Sequence, residues 1–103
     1  LEAGLATPEG RVKARVKIVL KRLGAYFAMP VGTGYGNSGV PDFLVCFRGW
    51  FIGVECKAGD EEPTALQMKN LYMIQKTGGY TLVVNEDNVH ELEILLTMLP
   101  ERK

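Results

Sequence analysis

The sequence predicts an α/β sandwich, a mixed four-stranded sheet flanked by helices in the order helix, strand, hairpin, helix, strand, helix. Three observations carry this. Residues 39–57, GVPDFLVCFRGWFIGVECK, hold two short apolar runs joined at Arg48 and Gly49, the pattern of a β-hairpin. A helical stretch separates the second run from a further β-rich run at 80–84, and strand, helix and strand in that order imply a right-handed crossover to a parallel neighbour. Apolar residues also recur with helical spacing near both ends of the chain.

At 103 residues, 47% hydrophobic and 23% charged, the chain is expected to form one globular domain, 1–103, with a single core. No apolar run reaches membrane-spanning length and no signal peptide is visible, so an intracellular protein without a membrane partner is expected. The first residue is Leu1 rather than Met, which suggests that a few residues are missing from the start.

Thr7, Pro8 and Glu9 open the first helix as cap, first helical residue and first-turn carboxylate. Val12, Val16, Val19, Leu20 and Leu23 form its apolar stripe, while Arg11, Lys13, Arg15, Lys17, Lys21 and Arg22 cover the other faces. No acidic partner is expected to pair with these bases within the helix, so they read as a phosphate track, with a solvated basic face as the alternative. Gly24 ends the helix, and 25–29 reads as a short strand. The PVGTGYGNSGVP segment that follows has four glycines within 32–39. It lacks the Gly-Lys-Ser/Thr ending of a nucleotide-binding loop, so no nucleotide cofactor is expected. The loop offers Tyr35, Asn37 and Ser38 to a bound backbone, or is a plain connection.

With a two-residue turn, Phe47 faces Trp50 and Asp42 falls opposite Glu55. Strand alternation then puts Phe43, Val45, Phe47, Trp50, Ile52, Val54 and Cys56 on one side, and Asp42, Leu44, Cys46, Glu55 and Lys57 on the other. Two carboxylates side by side repel unless a cation sits between them. Their oxygens are hard ligands of the kind magnesium and manganese prefer, and Lys57 lies two residues beyond Glu55 on the same face. An exposed strand pair beside a turn aspartate is the bland alternative.

Beyond the hairpin, AGDEEP reads as an acidic turn. Thr64 and Gln67 form a capping box for a second helix whose inner stripe is expected to be Met68, Leu71, Tyr72 and Gln75, ending at Gly78 and Gly79. Residues 80–84 are expected to be a buried strand parallel to 51–57. Residues 85–87 are read as capping a last helix, with Val89, Leu92, Leu95, Leu96 and Leu99 facing inward until Pro100 stops it. Ile94 and Met98 widen that stripe beyond one face, which points to a homodimer.

Net charge is zero, but 1–57 carries eight Lys or Arg against four Asp or Glu, and 58–103 carries four against eight. One basic side can therefore meet phosphates while the whole stays neutral. Cys46 and Cys56 point to opposite hairpin faces, which excludes a disulfide between them; both are expected to be reduced and buried. With His90 they are too few for a structural zinc site, and His90 reads as a helix-surface residue.

Pro41-Asp42 followed by Glu55-Cys56-Lys57 resembles the signature of the PD-(D/E)xK nuclease superfamily. The Gly-rich lead into GVPDF, the ECKAGD and the TALQ opening the next helix resemble, more specifically, the virus-type replication-repair nuclease (VRR-Nuc) domains. The resemblance runs from about residue 7 to 84 and implies a restriction-endonuclease-like sandwich. It also implies a magnesium- or manganese-dependent DNA endonuclease that leaves 5′-phosphate ends. Carried onto this chain, Asp42 and Glu55 are metal ligands, Lys57 positions the attacking water, and the Cys56 backbone carbonyl adds a ligand. Glu9 holds a second metal or its water shell, and Gln67 lies near the centre. Arg11, Lys13, Arg15 and Lys17 are the expected DNA contacts. Stand-alone domains of this size resemble dimeric junction resolvases, which implies four-way (Holliday) junctions and DNA repair. The setting implied is cytoplasm or nucleoid, including proteins encoded by viruses or mobile elements. Cys56 stands where an aliphatic is more usual, and the family's arginine-containing approach to the Asp is not evident in TGYGNSGVPD. The rival reading is a catalytically silent DNA-binding or assembly module on the same fold, and an RNA-directed nuclease is a third.

Overall fold

A computed structural model describes residues 7–31 and 39–102. Its elements are α1 (Pro8–Leu23), β1 (Tyr26–Ala28), β2 (Phe43–Phe47), β3 (Trp50–Cys56), α2 (Ala65–Lys76), β4 (Tyr80–Val84) and α3 (His90–Met98). The sheet order is β1-β2-β3-β4, with β1 and β3 antiparallel to β2, and β4 parallel to β3. This is the expected mixed sheet in the expected element order.

The hairpin has the expected register, Phe47 opposite Trp50 and Phe43 opposite Val54. Arg48 (φ 54°) and Gly49 (φ 85°) make the turn, and positive φ at both positions suits the strand twist. Arg48 bears that conformation without being glycine because the chain end holds it. Its Nη1 donates to Leu99 O at 2.6 Å, its carbonyl accepts from Arg102 N–H at 2.8 Å, and Trp50 Nε1 donates to Pro100 O at 2.8 Å. Residues 99–102 thus strap the hairpin tip.

Alternation along β2 and β3 separates two layers. Phe43, Val45, Ile52, Val54 and Cys56 pack with Val12, Val16 and Leu20 of α1 and with Leu92 and Leu96 of α3, all buried. Burying each such aliphatic or aromatic side chain contributes roughly 1.5–3 kcal/mol, so this layer anchors α1 against the sheet. Thr7 caps α1 by accepting from Gly10 N–H, and Gly24 closes it in the left-handed conformation.

The opposite face carries α2, and here four expectations change. The inner side of α2 is Leu71 and Ile74; Met68 and Tyr72 are exposed, at 52% and 59%. Ile74 sets this phase because Gly53 of β3 and Gly79 leave it room: a Cβ on either would come within 2.8 Å of its side chain. The strand β4 is an edge strand, mostly half-exposed, because no fifth strand covers it among the described residues. The α3 cap is Val89 without a side-chain cap bond, since Asn85 and Asn88 are spent on a reciprocal turn in which each side-chain oxygen accepts from the other's backbone N–H. Cys46 is exposed, next to the short edge strand β1; Cys56 is buried as expected, and both thiols are free.

Candidate active site

Asp42 immediately precedes β2, and Glu55, Cys56 and Lys57 end β3, so the hairpin register brings them together at one end of the sheet. Asp42 Oδ2 accepts from the Cys56 backbone N–H at 2.8 Å. The pairing of β3 with β4 continues past the strand end, with Lys57 N–H donating to Val84 O at 2.9 Å. Both flanking strands therefore fix the backbone that carries Glu55 and Lys57. The Cys56 side chain points into the core, as parity requires, and burial followed by the nearby carboxylates pushes its thiol far above the ordinary range. It is a packing group, not a nucleophile.

Glu55 is 2% exposed and Lys57 7%. Lys57 Nζ lies 3.7 Å from Glu55 Oε2, whereas Glu55 Oε1 is buried with no hydrogen-bond partner among the described residues. Burial, then the negative charge of Asp42, push the Glu55 carboxyl up to about 7; the Lys57 ammonium pulls the other way without cancelling them. An orphaned oxygen on a carboxyl beside a second carboxylate is a site short of positive charge.

Part of that deficit is met from α1. Lys13 Nζ lies 3.5 Å from Glu9 Oε2 and 3.4 Å from Asp42 Oδ1, so Glu9 joins the site through Lys13. Partial burial works against the Lys13 ammonium, but Asp42 and Glu9 outweigh it and hold its pKa above the ordinary lysine value. The expectation that α1 holds no in-helix acidic partner is corrected by the Glu9–Lys13 pair, whose i,i+4 spacing was the available signal. Glu61, from the acidic turn, lies 4.0 Å from Lys57 and was not singled out from sequence. Among the described residues no three His, Cys, Asp or Glu side chains form a metal-holding group, and Lys13 lies between Glu9 and Asp42.

The remaining expected site residues divide. Gln67 completes the α2 capping box, its Oε1 accepting from Thr64 N–H at 2.8 Å, which leaves its amide nitrogen for any role at the site. Arg15 donates to Glu86 O in the turn before α3 at 3.0 Å and Arg22 pairs with Glu93 of α3, so neither is held by the carboxylates of the site; Arg11 lines a groove with Arg15 and Glu86. Lys17 and Lys21 follow Lys13 at four-residue steps and are exposed. Tyr35, Asn37 and Ser38 lie outside the described residues.

No protein-family model matches the sequence, and no curated protein does. A solved structure described as a VRR_NUC domain is similar over 84% of this chain and 94% of its own, with a TM-score of 0.67 and 28% sequence identity.

Proposed function

We propose that the chain, by its similarity to the solved VRR_NUC domain a nuclease domain of that type, is a magnesium- or manganese-dependent endonuclease hydrolysing phosphodiester bonds in branched DNA, four-way junctions foremost. The observation that carries this reading is the convergence of Asp42, Glu55 and Lys57, with one Glu55 oxygen buried and without a partner among the described residues. A module that only binds phosphates gains nothing from two carboxylates facing them, which disfavours the silent alternative.

The donor set suits a hard dication: Asp42 and Glu55 would hold it with the Cys56 carbonyl, and Glu9 would reach its water shell. When bound, it supplies charge stabilisation to the scissile phosphate and lowers the pKa of a water. Asp42, tethered by the Cys56 N–H, keeps its carboxylate at the strand end. Lys57, packed against Glu55, holds the attacking water in line and shields its developing negative charge. The P–O bond breaks toward the 3′ oxygen, giving a 5′-phosphate and a 3′-hydroxyl.

The lysines of α1 that have no ion-pair partner among the described residues, Lys17 and Lys21, extend from Lys13 and suit a backbone phosphate track. Ile94 and Met98 are 51% and 75% exposed on α3, which supports a homodimer whose two sites meet the symmetry of a four-way junction. No helix among the described residues is long and apolar enough to cross a membrane.

The test is cleavage of labelled single-stranded, duplex, flapped and four-way-junction DNA by wild type and Lys57→Ala, with manganese or with chelator. Metal-dependent cutting, greatest on the junction and lost in the variant, is expected. Binding without cutting under every condition would leave the silent module as the better account.

A further inference from the structure

Both oxygens of Asp42 are engaged. Oδ2 takes the Cys56 N–H at 2.8 Å and Oδ1 faces the Lys13 ammonium at 3.4 Å. The same ammonium reaches Glu9 Oε2 at 3.5 Å. On one side of this arrangement a cation bridges two carboxylates. On the other, Glu55 Oε1 is buried without a partner among the described residues.

Lys13 is unlike the other α1 bases. Arg15 is held by the turn before α3 and Arg22 by α3 itself, and Lys17 and Lys21 are exposed, but Lys13 turns toward the sheet, and its side chain is only 34% exposed. An ammonium is a compact charge on a flexible four-carbon stem, so it can leave a carboxylate without moving the helix that bears it. A dication that shares Asp42 Oδ1 with it would face a like charge at contact distance in a partly desolvated site, and the two repel.

We propose that Lys13 is the resident counter-cation of this carboxylate cluster, and that a divalent ion must displace its ammonium from Asp42 in order to bind. This rests on the metal-dependent reading above. The exchange makes metal binding a competition: Lys13 keeps Glu9 and Asp42 paired when metal is scarce and sets the concentration at which the site loads. Lys13 is a positioning residue in this scheme, since it acts through Asp42.

The test is calorimetric titration of manganese chloride alone, without DNA, into wild type, Lys13→Met, Asp42→Asn and the control Lys69→Met on exposed α2. Removing the competitor is expected to tighten manganese binding about tenfold in Lys13→Met, with Lys69→Met matching wild type and Asp42→Asn binding none. In chelator Lys13→Met is expected to melt below wild type, and saturating manganese should close that gap. Lys13→Gln, which keeps a polar group but no charge, gives the same direction and serves if the methionine variant folds poorly by circular dichroism. Unchanged or weaker manganese affinity in both Lys13 variants, with Asp42→Asn still abolishing binding, overturns the counter-cation role alone. No manganese binding by wild type or either Lys13 variant overturns the role together with the metal-dependent reading.

Discussion

The backbone N–H of Cys56 donates to Asp42 Oδ2 at 2.8 Å, tying the last residue of β3 to the carboxylate in front of β2. This bond makes Asp42 both a chemical and a structural group. The two roles separate by substitution. Asp42→Asn keeps a side-chain oxygen for the N–H and removes a charge beside Glu55, so in chelator it should be at least as stable as wild type while cleavage is lost. Asp42→Ala leaves the N–H without its acceptor and should be less stable than Asp42→Asn by about 1–3 kcal/mol. Urea denaturation of the three proteins checks the order.

Glu55 predicts a pH dependence whose sign follows from its raised pKa. Its carboxyl titrates near 7 when folded and near the ordinary 4.5 when unfolded, so the folded state binds the extra proton between these values. The contribution to stability is present in full below about pH 4.5 and is lost as pH rises through about 7. Metal-free protein should therefore weaken across that window, by roughly 3 kcal/mol at most from this group. Glu55→Gln should flatten the slope and be the more stable protein at pH 8, with no nuclease activity. Denaturation midpoints at four pH values in chelator decide it.

Salt dependence should separate the two basic sides of α1. Replacing Lys17 or Lys21 by Ala is expected to reduce the slope of log binding constant against log salt by about 1 each. Arg22→Ala should leave the slope near that of wild type, because Arg22 is paired with Glu93. Equal effects at all three positions would mean that the whole helix, not one stripe, meets the backbone. Fluorescence titrations on a junction at several salt concentrations supply the slopes.

Gly39 lies under the first turn of α2, where a Cβ would come within 2.7 Å of the Leu66 backbone carbon. The obstacle is backbone, so α2 itself must shift. Gly39→Ala should cost about 1–3 kcal/mol and also lower cleavage, since α2 covers the strand that carries Glu55. By contrast, Gly59→Ala has open space around its Cβ and should cost only the strain of its positive φ. Thermal melts and cleavage rates of both variants test the contrast.

The exposed Ile94 and Met98 predict association through α3. Ile94→Glu with Met98→Glu should shift the protein from dimer to monomer in sedimentation velocity, without loss of helix content. A wild type that sediments as a monomer at high concentration would remove the dimer from the functional reading.

The hairpin was legible in the sequence because strand alternation is strict. Once Arg48 and Gly49 are the turn, the register carries Asp42 to the end of β3, where it accepts from the Cys56 N–H, and the Cys56 side chain enters the core. The apolar stripes of α1 and α3 were equally legible, because each meets a single layer of the same core. Less was legible for α2. Its apolar residues occupy more than one face, and only the gaps at Gly53 and Gly79 select Ile74 as the residue that turns inward.

What the sequence determined by itself was therefore the identity and register of Asp42, Glu55 and Lys57, the element order, and the parallel return of β4. Each follows from local periodicity or from the chirality of a crossover. The tertiary structure decided what periodicity does not encode. Helix α1 crosses the strand ends at the level where Lys13, rather than any other of its bases, meets Asp42. The packed end of the sheet buries Glu55 beside Asp42 and Lys57 and leaves its Oε1 without a partner among the described residues. Burial and charge at that end of the sheet come from elements distant in the chain, and such sums exist only once the layers have packed.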